Sequence, residues 1–247
     1  MEIIPIKTRL FTERTPLVEF IRSHIRRLRE GDIVVVTSKI VALSQGRVGS
    51  LAAKREHIYH GSQKVIETPW ALLTLTDDGW CVNAGVDESN ANGRLILSPE
   101  NTRRTAETVR KKLLKHFSLK RLGVLITDTK SLPLRVGTIG RSIGYSGFEP
   151  LKSYIGKKDL FGRKSRLTQS NVADALAASA VLVMGEGNEQ TPIAIIRDAP
   201  VRFTKQSIAD KKRTSLVLSP ETDIYAAIFK DAERVFRKPS RKNRPAR

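Results

Sequence analysis

Cysteine is nearly absent, with Cys81 standing alone in 247 residues. That excludes a disulfide framework and any multi-cysteine metal site, and it suits a reducing cytoplasm. No stretch approaches the roughly 18 consecutive apolar residues of a membrane span, and the first eleven residues lack the unbroken apolar core of a secretory signal. A cytoplasmic protein without a membrane partner is therefore expected. Acids are scarce, 25 against 44 Lys and Arg, and the formal charge of +19 attracts polyanions: nucleotides, nucleic acid or an acidic membrane face. The familiar phosphate motifs are missing too. No G-x-x-x-x-G-K followed by Ser or Thr occurs, and Gly137-Thr-Ile-Gly140-Arg-Ser-Ile-Gly144 lacks both the lysine and the dinucleotide spacing. His57 and His60 could share a helical face but have no third donor, and Cys81 beside Trp80 has no adjoining base, so both read as ordinary structure.

What is present is apolar patterning. Leu17, Phe20, Ile21, Ile25 and Leu28 recur at helical steps with Arg22, Arg26, Arg27 and Arg29 opposite, predicting a helix that ends near Gly31. Asp32 to Val41 reads as a buried strand, and a turn follows at Ser44 to Arg47. Ala106, Val109, Leu113, Leu114 and Phe117 predict a second helix with a basic outer face, leading to a strand over Leu122–Asp128. The glycines between 137 and 162 favour tight turns and close backbone approach over long regular elements. Val172–Met184, rich in alanine, predicts a closely packing helix, and Pro192–Ile196 a strand. This interleaving predicts a mixed α+β fold over residues 1–236. Residues 237–247 hold six basic residues and no acid, which predicts a disordered basic tail whose removal lowers +19 to +13.

Three acidic spots stand out against this basic background. Asn83-Ala-Gly-Val-Asp87-Glu-Ser-Asn90 offers carboxylate, hydroxyl and amide oxygens for a hard cation, or an Asx-type turn into a helix. Thr127-Asp128-Thr129 ends an apolar strand, where reactive groups collect in α/β proteins, although Asp128 could equally cap a helix. Gly185-Glu186-Gly187-Asn188-Glu189-Gln190-Thr191 follows the alanine-rich helix, as a helix stop or as a binding loop. With the basic segment Lys152–Arg166 between the last two, they describe a site where carboxylates hold Mg²⁺ or Mn²⁺ and cations neutralise phosphate.

Six blocks then carry a resemblance: Thr37-Ser-Lys-Ile-Val41 with Gly46-Arg47, Asn83–Asn90, Thr127-Asp-Thr129, Lys157-Lys-Asp-Leu-Phe-Gly-Arg163, Val172-Ala-Asp174 and Met184-Gly-Glu-Gly187. In that order, over residues about 4–198, the chain resembles the coenzyme F-420:L-glutamate (γ-glutamyl) ligase family. The resemblance implies an intertwined homodimer of mixed α/β subunits that uses GTP or ATP and two divalent ions, Mg²⁺ or Mn²⁺. With these it joins L-glutamate to a carboxylate-bearing deazaflavin or pterin (folate) through an acyl phosphate. Residue by residue, it implies Asp87 and Asp128 as ligands of one cation and Thr129 and Glu186 of a second. Ser38, Lys39, Asn90, Met184, Gly185, Gly187, Asn188 and Thr191, with the Arg9–Thr12 region, fall where the nucleotide is contacted. Asp87, Asp128 and Arg135 are the implied catalytic residues. The family pattern Thr-Asp-Thr-Phe-Gly-Arg-Pro-Trp-Arg becomes Thr127-Asp-Thr-Lys130-Ser-Leu-Pro133-Leu-Arg135 here, so neighbouring groups that could shape acceptor or nucleotide choice have changed. The competing reading is a basic nucleic-acid-binding protein on a ligase-like scaffold. It leaves Asp87, Asp128 and Glu186 without a purpose, since a phosphodiester-binding surface gains nothing from acids.

Overall fold

The computed structural model describes residues 1–205 and 216–228; the basic tail expected at 237–247 lies outside the described residues. In chain order the elements are β1 (Glu2–Ile6), α1 (Leu17–His24), β2 (Ile33–Thr37), α2 (Ser38–Ser44), β3 (Val48–Gly49), α3 (Lys54–His60), β4 (Lys64–Glu67), β5 (Leu72–Thr76) and β6 (Gly79–Val82). They continue with β7 (Leu95–Ile96), α4 (Thr102–His116), β8 (Gly123–Ser131), β9 (Thr138–Ser146), β10 (Leu151–Ser153), β11 (Gln169–Asn171), α5 (Val172–Met184) and β12 (Ile193–Arg197). The class is the expected mixture of helices and sheets.

A five-stranded sheet in the order β1-β12-β2-β8-β9 forms the middle layer. Only β2 and β8 run parallel, in register from Ile33↔Gly123 to Thr37↔Thr127. Alternate side chains of the central strands leave on opposite faces. Val34, Val36, Val124, Ile126, Ile193 and Ile195 pack under α1 and α4, while Ile33, Val35, Leu125, Ala194 and Ile196 pack under α5. This double burial is why the strands read as continuous apolar runs. Each fully buried Val, Leu or Ile contributes about 1.5–3 kcal/mol. The meander β4-β5-β6, the pair β3-β7 and the hairpin β10-β11 lie outside this sheet, and β6 abuts β8.

Four boundaries differ from expectation, each for a tertiary reason. α1 stops at His24; Ile25 and Leu28 remain buried in a non-helical segment, where the buried Asp32 carboxylate accepts the Arg29 N–H at 2.8 Å. The strand expected to reach Val41 ends at Thr37, because Ile40, Val41 and Ala42 bury themselves as one side of a short helix instead. No helix follows Asp128, which therefore caps nothing, since β8 runs on to Ser131. The glycine-rich segment contains a nine-residue strand, β9, in which glycine serves close packing rather than turning. A Cβ on Gly140 would stand 2.6 Å from the Ala177 carbonyl oxygen, and one on Gly144 2.8 Å from that of Thr102. Between these glycines, pairing jumps from Ile126↔Gly144 to Thr127↔Ser142, so Ile143 is the extra residue of a bulge beside Asp128. The basic outer face of α4 has one inward exception: Arg110 is buried and donates through Nε to the Leu122 carbonyl at 2.8 Å.

Candidate active site

The carboxyl ends of the parallel strands β2 and β8 open onto a cavity of about 280 Å³. Open α/β sheets place ligands at this edge, because the loops that leave parallel strands diverge there. Ser38, Lys39, Asp87, Asn90, Asp128, Thr129 and the run Met184–Thr191 all line it, together with Arg9, Leu10 and Phe11. Five segments spread over about 180 residues of chain are thus brought to one place. Arg135 is elsewhere, exposed in the β8–β9 connection, and Lys157, Lys158 and Arg163 are exposed beside the β10–β11 hairpin.

Asp128 sits on β8, and its Oδ1 accepts the Ser38 hydroxyl at 2.9 Å from the first residue of α2. Its register partner on β9 is Arg141, whose Nη2 lies 3.9 Å from Oδ2 and whose Nη1 donates to the Asp78 carbonyl at 2.7 Å. Burial pushes the Asp128 carboxyl above the usual carboxylate range, with Arg141 and Ser38 opposing that rise. Asp87 leaves a loop beyond a 3₁₀ turn at Asn83–Gly85, where Ala84 holds a left-handed φ of 53°. It forms an Asx turn, accepting the Ser89 N–H at 2.7 Å, rather than opening a helix. Lys39 Nζ lies 2.9 Å from its Oδ2 and donates to the Ser89 carbonyl and hydroxyl at 2.9 and 2.8 Å. Burial acts to raise the Asp87 carboxyl too, but the Lys39 and Ser89 bonds outweigh it and hold the group below its ordinary value. Glu186 is raised by burial and then by the charge of Asp128, with Asp87 adding to the effect.

The 185–191 loop is shaped from within. Gly185 has φ of 80°, and a Cβ there would stand 2.3 Å from the Glu189 carboxyl carbon. Glu189 accepts the Gly187 N–H at 2.8 Å, Thr191 donates to the Met184 carbonyl, and Asn90 Nδ2 donates to the Gly187 carbonyl at 2.9 Å. That last bond ties the Asp87 loop to the Glu186 loop.

The donor set fits a hard divalent cation: three carboxylates and a threonine hydroxyl, all oxygen, with like charges raising one another. Among the described residues no three His, Cys, Asp or Glu side chains are drawn into a finished cage. An ion that keeps waters and takes substrate phosphate oxygens needs only one or two protein carboxylates, so loose spacing suits Mg²⁺ or Mn²⁺. Sequence reasoning missed Arg141, and met Lys130 only as a departure from the resembled pattern. Burial and then the charge of Arg141 hold the Lys130 ammonium below its ordinary value. Arg141 is an isolated cation between Gly140 and Ser142, and only the pairing of β8 with β9 shows that it faces Asp128.

Residues 52–198 match the model of the F420-0:Gamma-glutamyl ligase family. The coenzyme F420:L-glutamate ligase of Archaeoglobus fulgidus is 34% identical over 219 residues, covering 80% of this chain and 87% of that protein. The same-named protein of Methanococcus maripaludis strain C7 is 32% identical, covering 91% of this chain and 97% of its own length. That of Methanosarcina mazei is 38% identical over 191 residues. These matches, with the carboxylate-lined cavity, put the protein in the class of acid–amino-acid ligases. It belongs to the F420-0:gamma-glutamyl ligase family. The nucleic-acid-binding alternative gains nothing from this relationship. No helix among the described residues is long and apolar enough to cross a membrane.

Proposed function

We propose that the protein is a nucleoside-triphosphate- and divalent-metal-dependent γ-glutamyl ligase, joining L-glutamate to the carboxylate of coenzyme F420-0 or of a folate. The observation that carries this reading is the meeting of Asp87, Asp128 and Glu186 with Lys39 and the 185–191 loop around one cavity. The family relationship supports the reaction class.

A carboxylate resists attack by an amine, so the acid is activated first. A carboxylate oxygen of the acceptor attacks the γ-phosphorus of GTP or ATP, the bond to the β,γ-bridging oxygen breaks, and an acyl phosphate and a nucleoside diphosphate result. The glutamate amine then attacks the acyl carbon, loses a proton and expels inorganic phosphate. This work is positioning and charge neutralisation, which explains why no Ser, Cys or His nucleophile is needed. Asp87 and Asp128 would hold one Mg²⁺ or Mn²⁺ and Thr129 and Glu186 a second; such ions would supply the positive charge that phosphoryl transfer needs. Lys39 adds a positive charge beside Asp87, and the Ser38 hydroxyl fixes the orientation of the Asp128 carboxylate. Asn90, Met184, Gly185, Gly187, Asn188 and Thr191 line the same cavity, and in this reading they would contact the nucleotide. Leu134, Val136, Leu160 and Phe161 are almost fully exposed, and apolar surface of that extent supports a homodimer.

The test incubates the protein with labelled glutamate, GTP or ATP, Mn²⁺ or Mg²⁺, and coenzyme F420-0 or tetrahydrofolate. A mass gain of one glutamyl unit on either acceptor, dependent on nucleotide and metal, is expected. Failure with every combination overturns the reading.

A further inference from the structure

Lys130 is the residue after Thr129, one position beyond the last β8 residue that lines the cavity. It is half-buried, and among the described residues its ammonium has no hydrogen-bond or ion-pair partner; Asp174 and Asp223 act on it only through space. Residues two apart on a strand face the same way at about 6.6 Å, so Lys130 and Asp128 share a face of β8. Arg141 joins them there through its pairing with Asp128. The guanidinium is committed, with Nη1 on the Asp78 carbonyl and Nη2 toward Asp128, and its Nε is buried without a partner. On this face one acid stands with two cations, and the outer cation is free to move on a long stem. An ammonium half withdrawn from water and left unpaired is costly unless an anion meets it.

We infer that Lys130 is a binding residue for the carboxylate-bearing acceptor, contacting its anionic end beside Asp128 while Arg141 holds the neighbouring position. The inference rests on the ligase reading above, because the acid to be phosphorylated must come within about 3–3.5 Å of the transferred phosphoryl group. On the ligase reading the nucleotide takes the cavity from Ser38 across to the 184–191 run, and Lys130 stands just outside that lining, next to Thr129, where the second substrate would approach Asp128. Phenylalanine at this position, as in the resembled pattern, would supply a ring there instead of a charge.

The experiment compares wild type with Lys130→Gln and Lys130→Arg in steady-state glutamylation, with KM measured separately for GTP, glutamate and whichever of coenzyme F420-0 or tetrahydrofolate is turned over. Lys130→Gln should raise the acceptor KM about tenfold or more and leave the GTP KM within about twofold, and Lys130→Arg should restore most of the loss. An unchanged acceptor KM, or an increase confined to GTP or glutamate, overturns the assignment. A second measurement avoids variants: acetylation of Lys130 in the wild-type protein, read by peptide mass, should slow in the presence of the acceptor and not with GTP alone. Equal labelling with and without acceptor also overturns it. Loss of all wild-type turnover with both acceptors sinks the ligase reading itself, a result distinct from an active enzyme indifferent to Lys130.

Discussion

Asp87 and Asp128 face the same cavity from opposite kinds of structure. Asp87 hangs from a turn, with a lysine ammonium at 2.9 Å and the Ser89 N–H and hydroxyl on its oxygens, so its negative charge is already compensated. Asp128 is built into a central strand, where burial outweighs a hydroxyl and a guanidinium held at 3.9 Å. The first can exchange its partner by rotating a side chain, whereas the second has a fixed position and an unmet need for positive charge. The proposed phosphate and metal chemistry would use both: one rigid carboxylate to define the place, and one adjustable carboxylate whose lysine would be released as charge arrives.

The sharpest break in this contrast is Asp128→Asn. The amide keeps an acceptor for Ser38 but removes the fixed charge, so nucleotide turnover should fall by about 10³-fold or more, several kcal/mol of transition-state stabilisation. The melting temperature should hold or rise, because a buried, under-compensated charge has gone. Turnover within about tenfold of wild type would end the mechanism proposed here. Asp87→Asn should cost less, about 10²-fold, and its deficit should shrink as Mn²⁺ is raised, since Lys39 then no longer competes for the position. A deficit independent of metal concentration would show that the two carboxylates do not divide the work in this way. Ser38→Ala is the mildest, about tenfold in turnover, because it loosens Asp128 without removing it. If Ser38→Ala were as damaging as Asp128→Asn, the hydroxyl itself would have to touch substrate.

Much of this was legible in the sequence, and the misses share a cause. Val172–Met184 was readable to the residue because a helix is a local pattern with local stops, Asn171 capping the Asp174 N–H and Gly185 ending it. Most of the cavity wall was readable from the order of its motifs. The boundary at Thr37 was not, because Ser-Lys-Ile-Val-Ala-Leu suits a strand or a helix until the tertiary fold decides. Arg141 was invisible because its meaning depends on a pairing that slips by one residue at Ile143, and Lys130 could be read as a changed position but not placed beside Arg141. Arg135, carried over from a motif, stands apart from the cavity because β8 runs on to Ser131 and carries the turn that holds Arg135, ahead of β9, beyond the cavity lining.

The position of β12 bears on how the protein comes into being. Among the described residues β1 lies at the sheet edge and pairs only with β12, which in turn lies between β1 and β2. During synthesis the first strand must therefore wait, unpaired, until residues 193–197 leave the ribosome, about 10–40 s later at ordinary elongation rates. The loop that closes the cavity, 185–191, arrives only just before it. A nascent chain stalled at Gln190 should leave the β1 amides open to hydrogen exchange, and protection there would disprove this order. The sheet is thus completed from the inside last, with β1 held in trust for an inner strand made much later in the chain.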